Sequence, residues 1–407
     1  MKQWLLALSV SFLPILPASA QGFGNVPTGP SAPSFIQPFD QTWDPGGYAN
    51  VEDIILLSDG SIGVTGEQGF LSNGVRMFVG ANDQSGTYFG RFDANGESLN
   101  FANFTSAKGV LEKILGNALV EATNGDVYIG AHERVGDLSQ PVLLKVTKEG
   151  QQVWRKALAG PSSQQPYALH PTADGGCILF AEKHVYMAGP TPDNQTWVAK
   201  ISPDGEIEGQ SIFDGGSTAM MPTSDGGFML TSGTQLLKLN SSGIEEFRTD
   251  LSGGGKRRSI YQVAAVGDGG VTLATLSKKN RGYLGEVIRF APDGSELWSH
   301  NVDLGHATFM SAVVAGADGT VYVGGNYRKK DGAPNQPFIT RISADGQTDS
   351  TWIFPGHNES FLETLLLVEP GIILAGGHAD EKLHMPSGQK SFMTAKAWLT
   401  AVSLDSF

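Results

Sequence analysis

The chain repeats a short glycine turn along its length, and this repeat limits the folds that it can adopt. The turns lie at Asp59-Gly60, Asn124-Gly125, Asp174-Gly175, Asp225-Gly226, Asp268-Gly269, Asp318-Gly319 and Pro370-Gly371. Their first residues are 65, 50, 51, 43, 50 and 52 positions apart. A short apolar strand follows each turn, for example Cys177–Ala181 and Val321–Gly325. Periods of this size, built from short strands and glycine turns, are typical of a propeller or a solenoid.

A second hairpin follows in the first six repeats. Trp197–Ile201 precedes the turn Asp204-Gly205, and Phe338–Ile342 precedes Asp345-Gly346. Such Asp-Gly pairs supply the positive φ that tight hairpins need, and the alternation of apolar residues with Lys or Arg indicates strands with one packed face. Four strands per repeat correspond to one propeller blade. The sequence therefore predicts an all-β, seven-bladed β-propeller with four-stranded blades.

The two ends of the repeat array indicate how the ring closes. The seventh repeat has a third strand at Trp398–Val402, after which the chain nearly ends. The segment Ser34–Phe39 precedes the first repeat and has no partner of its own there. We predict that this N-terminal strand joins the last blade, because unpaired sheet edges favour aggregation. Residues 34–407 then form a single propeller domain.

The pattern of Asp-Gly-Gly turns, a Lys before the second Asp-Gly turn and a Trp after it resembles that of bacterial secreted propellers. The resemblance is close to the delta-60 type and looser to quinoprotein-like propellers, and it covers nearly all of residues 34–407. It implies a fold rather than one activity. The cofactor-binding residues of quinoprotein enzymes have no match here, and an adjacent cysteine pair is absent because Cys177 is the only cysteine.

Residues 1–20 have the features of a signal peptide. Lys2 supplies the charged start, Leu5–Leu16 is apolar, and Ala18-Ser19-Ala20 fits a cleavage site. The apolar run is short for a membrane span, which disfavours an uncleaved anchor. Residues 21–33 are rich in Gly, Pro and Ser and are interpreted as a flexible lead-in. We predict a secreted or periplasmic protein cleaved near Ala20.

The formal net charge of −13 disfavours nonspecific binding to nucleic acid or anionic membranes. The sequence also lacks a Gly-x-Ser-x-Gly elbow, a His-Glu-x-x-His motif and a phosphate-binding glycine loop. These observations favour a binding protein over an enzyme. They predict no cofactor, with a divalent metal as the open alternative.

Basic residues are concentrated in the loops predicted for blades five and six. They are Lys256, Arg257, Arg258, Lys278, Lys279, Arg281, Arg328, Lys329 and Lys330. Propeller geometry would make them neighbours on one face, whereas blades one to three carry Glu67, Glu133, Asp137 and Glu182 at matching positions. We predict an anion site for an acidic glycan, a phosphate-bearing ligand or an acidic protein partner. The alternative is that these residues are solvated loop tips.

Histidine and acidic residues form a second candidate site on the same face. The set is His132, Glu133, His306, His357, His378 and Asp380. Imidazole and carboxylate groups suit zinc, manganese or iron, and three converging groups would hold a divalent metal. Ordinary polar loop residues are the alternative interpretation. Aromatic residues in the same loops, among them Tyr283 and Phe309, make a glycan ligand a further hypothesis.

Three functional hypotheses follow from the sequence. The first is a secreted, noncatalytic, monomeric propeller that binds a ligand or protein through one face. The second is a propeller enzyme, either a metal-dependent lyase or hydrolase acting on a sugar or lactone, or a quinoprotein-like dehydrogenase. The third is a structural surface component with no small ligand.

Overall fold

The structure is a computed structural model, and most of the residues that it describes lie in β-strands. The described residues are 36–43, 47–70, 85–105, 114–135, 138–159, 164–183, 195–214, 219–223, 225–232, 235–240, 244–250, 258–279, 282–355, 359–368, 371–383 and 392–406. Within them, no helix has the length and apolar character needed to cross a bilayer. A short 3-10 helix at Leu404–Ser406 lies at the C-terminal end.

The strands follow one another at short intervals along the chain. The first eighteen are β1 (Phe39–Trp43), β2 (Gly47–Ala49), β3 (Asp53–Leu56), β4 (Ile62–Phe70), β5 (Ser85–Phe92), β6 (Ser98–Thr105), β7 (Ile114–Glu121), β8 (Val127–Val135), β9 (Leu138–Val146), β10 (Gln152–Ala157), β11 (Gln164–Pro171), β12 (Cys177–Lys183), β13 (Gln195–Ile201), β14 (Ile207–Asp214), β15 (Met220–Pro222), β16 (Phe228–Ser232), β17 (Gln235–Leu239) and β18 (Glu245–Asp250). The others are β19 (Arg258–Ala265), β20 (Val271–Lys279), β21 (Gly282–Phe290), β22 (Glu296–Val302), β23 (Ala307–Ala315), β24 (Val321–Arg328), β25 (Gln336–Ile342), β26 (Thr348–Ile353), β27 (Ser360–Val368), β28 (Ile372–Leu383) and β29 (Phe392–Ser403).

Backbone hydrogen bonds join these strands into five sheets. Three are four-stranded and antiparallel: β7 to β10, β11 to β14, and β15 to β18. The strands from β19 to β26 form an eight-stranded sheet, and the remaining strands form a nine-stranded sheet. Both large sheets contain antiparallel groups of four strands, namely β19 to β22, β23 to β26, β3 to β6, and β27 to β29 with β1.

The five sheets differ from the seven separate blades predicted from the repeat, and two backbone joins explain the difference. We call the first the terminal junction: β2 lies between β29 and β4 and pairs with both. We call the second the internal junction: β21 pairs with β23 in parallel through Tyr283 and Ala307. A turn repeat in the sequence marks hairpins and carries no information about hydrogen bonds between neighbouring repeats.

The N-terminal strand pairs with the end of the chain. β1 is antiparallel to β29, from Phe39 opposite Ala401 to Trp43 opposite Ala397. The Thr400 hydroxyl donates a 2.7 Å hydrogen bond to the Phe39 carbonyl. The strand therefore begins at Phe39, near the end of the segment 34–39 expected from the sequence, and residues 34 and 35 lie outside the described part of the chain.

Apolar side chains pack between successive four-stranded groups. Tyr128 of β8 and Trp197 of β13 share one buried cluster, and Phe180 of β12 and Phe228 of β16 share another. The first strands of most neighbouring groups also touch one another, and β27 contacts β3, which brings the last group against the first. These features define an all-β propeller and confirm that part of the predicted fold class.

The glycine turns owe their regularity to a repeated aspartate network. In the turn between β11 and β12, Gly175 has a φ of 85°, and the Asp174 carboxylate accepts the Gly176 N–H at 3.1 Å. Lys200 of β13 then lies 2.9 Å from the same carboxylate. Equivalent ion pairs join Lys238 to Asp225 and Arg289 to Asp268. The Lys or Arg that recurs in third strands is therefore a structural partner of the turn.

Candidate functional site

A β-bulge recurs at one position of the first strand in five of the described four-stranded groups. The extra residue is Asn117 in β7, Tyr167 in β11, Tyr261 in β19, Ser311 in β23 and Glu363 in β27. Each lies seven positions before the first residue of the following turn. Bulges redirect a side chain and are frequent beside functional sites. The repeat therefore provides an equivalent bulged position in the first strand of each of these groups.

Glu52 occupies the corresponding position before Asp59, seven residues ahead of it. It lies one residue before β3, and its N–H donates to the Thr65 carbonyl at 2.9 Å. Asp53, the next residue, accepts hydrogen bonds from Ile54 N–H at 2.9 Å and Leu119 N–H at 2.7 Å. Burial raises the pKa of Asp53 to about 7. This carboxyl ties the first four-stranded group to the second.

Carboxyl groups meet at the terminal junction. Burial raises the pKa of Glu363 to about 8, and the negative charges of Glu52 and Glu67 add to the effect. Burial also raises the pKa of Glu52, while a hydrogen bond from the Asn50 side chain acts in the opposite direction. The Asn50 side-chain oxygen accepts the Glu67 N–H at 2.7 Å. Carboxyls from β4 and β27 and from the segment before β3 thus share one electrostatic environment.

His378 of β28 completes this group. Its Nδ1 lies 3.5 Å from a Glu363 carboxylate oxygen, and its ring stacks on Phe361 with centroids 4.8 Å apart and planes inclined by 16°. A carboxyl group that retains its proton near neutral pH can donate a hydrogen bond or a proton, and an adjacent imidazole can accept one. The arrangement can therefore hold and move a proton.

A second repeated position lies eight residues after the first residue of each turn, near the end of the second strand. Its described members are Glu67, His132, Glu182, Leu276, Asn326 and His378. Burial raises the pKa of Glu182 to about 7. Asn326 bridges to the next group by accepting the Leu362 N–H at 2.8 Å. Most members of this set are polar although their sites are shielded from solvent. The recurrence of polar residues at this position becomes visible in the sequence when the repeats are aligned by their distance from the turn.

The residues predicted to hold a metal are distributed over several strands. His132 and Glu133 are buried in β8, and the Glu133 carboxylate forms an ion pair with Arg155. His306 precedes β23 and lies 3.8 Å from Asp331. No three His, Cys, Asp or Glu side chains among the described residues are placed to hold one metal ion. His357 and the side chain of Asp380 lie outside the description, so the full metal set stays a prediction.

Described residues of the predicted basic site lie at the internal junction. Lys278 in β20 pairs with Tyr283 in β21, which pairs with Ala307 in β23. Ala307 pairs in turn with Arg328 at the end of β24. Lys278 and Arg328 are therefore three strand spacings apart, about 14 Å. Lys329 and Lys330 follow Arg328 and are exposed. We call Lys278, Arg328, Lys329 and Lys330 the cationic edge.

Other residues of the predicted basic site are only partly described. Arg258 begins β19 opposite Ser277, and Lys279 ends β20 opposite Gly282, but the description does not include their side chains. Lys256, Arg257 and Arg281 lie outside the described residues. The backbone thus places Arg258 and Lys279 at the same end of the sheet as Lys278.

Comparisons with known proteins bear on the fold. No protein-family model matches the chain, and no curated protein matches it. Among solved structures, it is similar to Sqt1 from Chaetomium thermophilum at 12% identity, covering 90% of this chain and 100% of that chain with a TM-score of 0.51. A puromycin hydrolase matches at 13% identity over 83% of this chain and 51% of that chain, with a TM-score of 0.47. A Bacteroides caccae protein of unknown function matches at 11% identity over 67% and 93%, with a TM-score of 0.42.

Proposed function

We propose that this protein is a noncatalytic, seven-bladed propeller that binds an acidic ligand, a glycan or an acidic protein partner at the cationic edge. The blade count is supported by the seven turns and by the four-stranded groups that persist inside the two fused sheets. The proposal includes export through residues 1–20 to the periplasm or beyond, a monomeric state, and kinship with delta-60-type propellers. A propeller fold is consistent with a binding or scaffold role.

One contrast among the basic residues supports the proposal. Most described Lys and Arg side chains have a carboxylate partner: Arg91, Lys145, Lys148, Arg155, Lys156, Lys200, Lys238, Arg248, Arg289 and Arg341. No carboxylate oxygen among the described residues lies within 4.0 Å of a charged nitrogen of the cationic edge. In an acidic protein, cations that have no carboxylate partner in the described part of the chain are candidates for contact with an external anion.

The test uses two charge-matched double variants. K329S/K330S removes two exposed charges from the cationic edge, whereas K148S/K200S removes two from the opposite end, where each lies near the aspartate of a glycine turn. Calorimetric titration with poly-glutamate and with hyaluronan would be run at low and high salt. We expect K329S/K330S to weaken binding roughly three- to tenfold and to flatten its salt dependence. Equal behaviour of the two variants, or no binding by the unmodified protein, would contradict the proposal.

A second candidate function is acid–base catalysis at the terminal junction. The observation that favours it is the raised pKa of Glu363 beside His378, because strongly shifted carboxyls are frequent at catalytic sites. The corresponding enzyme classes are the lyases and hydrolases of sugars or lactones. Assays of the purified protein on sugar and lactone substrates separate the two candidates: turnover that is lost in Glu363→Gln would favour the enzyme, and no turnover would favour the binding function.

A further inference from the structure

The internal junction fixes the spacing of the cationic edge. Leu304 N–H donates to the Thr308 hydroxyl at 3.0 Å, and His306 N–H donates to the Lys329 carbonyl at 3.3 Å. A methyl group on Gly282 would lie only 1.8 Å from the His306 carbonyl oxygen, so the connection between the two groups fits closely against β21. Lys278 and Arg328 therefore belong to one continuous sheet, and their separation is set by backbone pairing.

An aromatic pair lies between these two cations. Tyr283 stands in the row that joins Lys278 to Arg328, and it is half-buried. Its ring packs against Phe309 with centroids 4.9 Å apart and planes inclined by 42°. Directly paired residues project from the same face of a sheet. Along that face a cation, an aromatic ring, the small residue Ala307 and a second cation follow in order.

Arg328 is held in place by an aromatic face. Its guanidinium lies 5.7 Å from the centre of the Phe309 ring, a distance typical of a cation–π contact. Its Nε is buried and has no hydrogen-bond partner among the described residues. Arg328 as a whole is only partly buried, and a planar guanidinium that is fixed on one side is suited to a planar carboxylate. The exposed Lys329 and Lys330 extend the positive charge beyond it.

The spacing indicates an extended ligand. The backbones of Lys278 and Arg328 are about 14 Å apart, so two carboxylates carried on one chain match this pair of cations better than a single compact anion. A nucleic-acid strand carries one charge per roughly 3.4 Å, which is much denser than these cations and is disfavoured by a protein of net charge −13. A chain in which uncharged sugar rings separate the carboxylates fits the alternation of cations and aromatic surface.

The geometry points to an acidic polysaccharide, with uronate carboxylates spaced by neutral sugars, as the ligand that spans the internal junction from Lys278 to Arg328. This inference rests on the proposed binding function and adds the class and minimum length of the ligand. Arg328 holds one carboxylate, Lys278 holds another, and a neutral sugar between them packs on Tyr283.

The experiment compares a hyaluronan disaccharide, a hyaluronan octasaccharide and a thymidine oligonucleotide of similar charge by calorimetric titration. We expect the octasaccharide to bind at least tenfold more tightly than either other probe. K278S and R328S should each reduce the octasaccharide advantage by about tenfold, as expected for loss of a charge-assisted hydrogen bond. Tyr283→Phe should retain binding, whereas Tyr283→Ala should weaken it.

The outcomes separate this inference from the proposed function. Equal binding of disaccharide and octasaccharide, with both weakened by K329S/K330S, would overturn the extended ligand and leave an anion-binding protein. Tighter binding of the oligonucleotide would overturn the polysaccharide in favour of nucleic acid. Failure of all three probes to bind would contradict both proposals. Melting temperatures close to that of the unmodified protein are required of every variant, and K148S, at the opposite end, serves as the single-charge control.

Discussion

The terminal and internal junctions both fuse neighbouring four-stranded groups, but they place charge in opposite ways. The terminal junction draws Glu52, Glu67 and Glu363 into one shielded environment, where burial and mutual repulsion raise the pKa of Glu363. At the internal junction, Lys329 and Lys330 remain exposed, and the described part of the chain offers them no carboxylate partner. The joining of two sheets by backbone pairing therefore does not determine whether the adjacent site is acidic or basic.

The difference has a thermodynamic consequence. A shielded carboxyl is costly to ionise, so the terminal junction couples folding to pH. An exposed lysine interacts strongly with water, so changing it has little effect on stability and a larger effect on association with charged ligands. We therefore expect substitutions at the terminal junction to alter stability first and those at the cationic edge to alter binding first.

The largest expected effect is at the terminal junction. Deleting residues 36–43 removes β1 together with buried Ile36 and the packed rings of Phe39 and Trp43, and it exposes the edge of β29. We expect a fall in melting temperature of at least about 10 °C, because several kcal/mol of apolar burial are lost. Thermal unfolding followed by circular dichroism measures this. The substitution Thr42→Ser, at an exposed site in the same strand, is the control and should have little effect. If the deletion variant had the same melting temperature as the unmodified protein, β1 would not stabilise the ring.

An intermediate effect is expected at the internal junction. Gly282→Ala places a methyl group against the His306 carbonyl and should separate β21 from β23. Overpacking of this kind typically costs 1–3 kcal/mol, which corresponds to a fall of roughly 5 °C. We also expect weaker binding of anionic probes, although no charge changes. Gly209→Ala, which has open space around the new methyl group, is the matched control. Unchanged melting and binding would mean that the fusion does not hold the cationic edge.

The smallest effect is a dependence of stability on pH. The folded-state pKa of Glu363 is about 8 against an ordinary value of 4.5, and that of Glu182 is about 7. Between the unfolded and folded values the folded state binds more protons, so the free energy of unfolding decreases as pH rises from about 4.5 to 8. We expect the melting temperature to fall by a few degrees over this window. Partial burial lowers the pKa of His170, which acts in the opposite direction.

Matched variants measure the share of this pH dependence that comes from the terminal junction. Glu363→Gln should reduce the fall in melting temperature, because the amide needs no proton to remain neutral, and it should leave the part that comes from Glu182 and Asp53. Glu296→Gln, in exposed β22, should leave the pH profile as it is. A melting temperature that rises steadily from pH 5 to 8 in the unmodified protein would contradict the assignment of raised pKa values to the buried carboxyls.

The all-β propeller class could be predicted from the sequence because hairpin turns are local. Asp-Gly pairs and alternating apolar residues specify each hairpin within a few residues. The number of separate sheets was not predictable in this way. A single pair between Tyr283 and Ala307, in different repeats, is enough to merge two of them.

The candidate sites were only partly visible in the sequence. The concentration of basic residues near Lys278 and Arg328 was apparent, and the structure aligns these two on one sheet. The sequence analysis did not identify Glu363. The bulge at this residue becomes apparent only when β27 is aligned with the other first strands by its distance from the turn. Asn50 and Glu52 were missed because their partners Glu67 and Glu363 come from different strands.

The repeated hairpins, the all-β class and the overall excess of acidic residues follow from the amino-acid sequence, since each depends on neighbouring residues or on composition. Which charges are paired depends on the three-dimensional fold. Lys200 and Lys238 of the third strands lie beside turn aspartates, whereas Lys278, at the far end of a second strand, has no carboxylate partner among the described residues. Ion pairs and shifts in pKa depend on distances of a few ångströms between residues far apart in the chain, and those distances are fixed only when the ring closes.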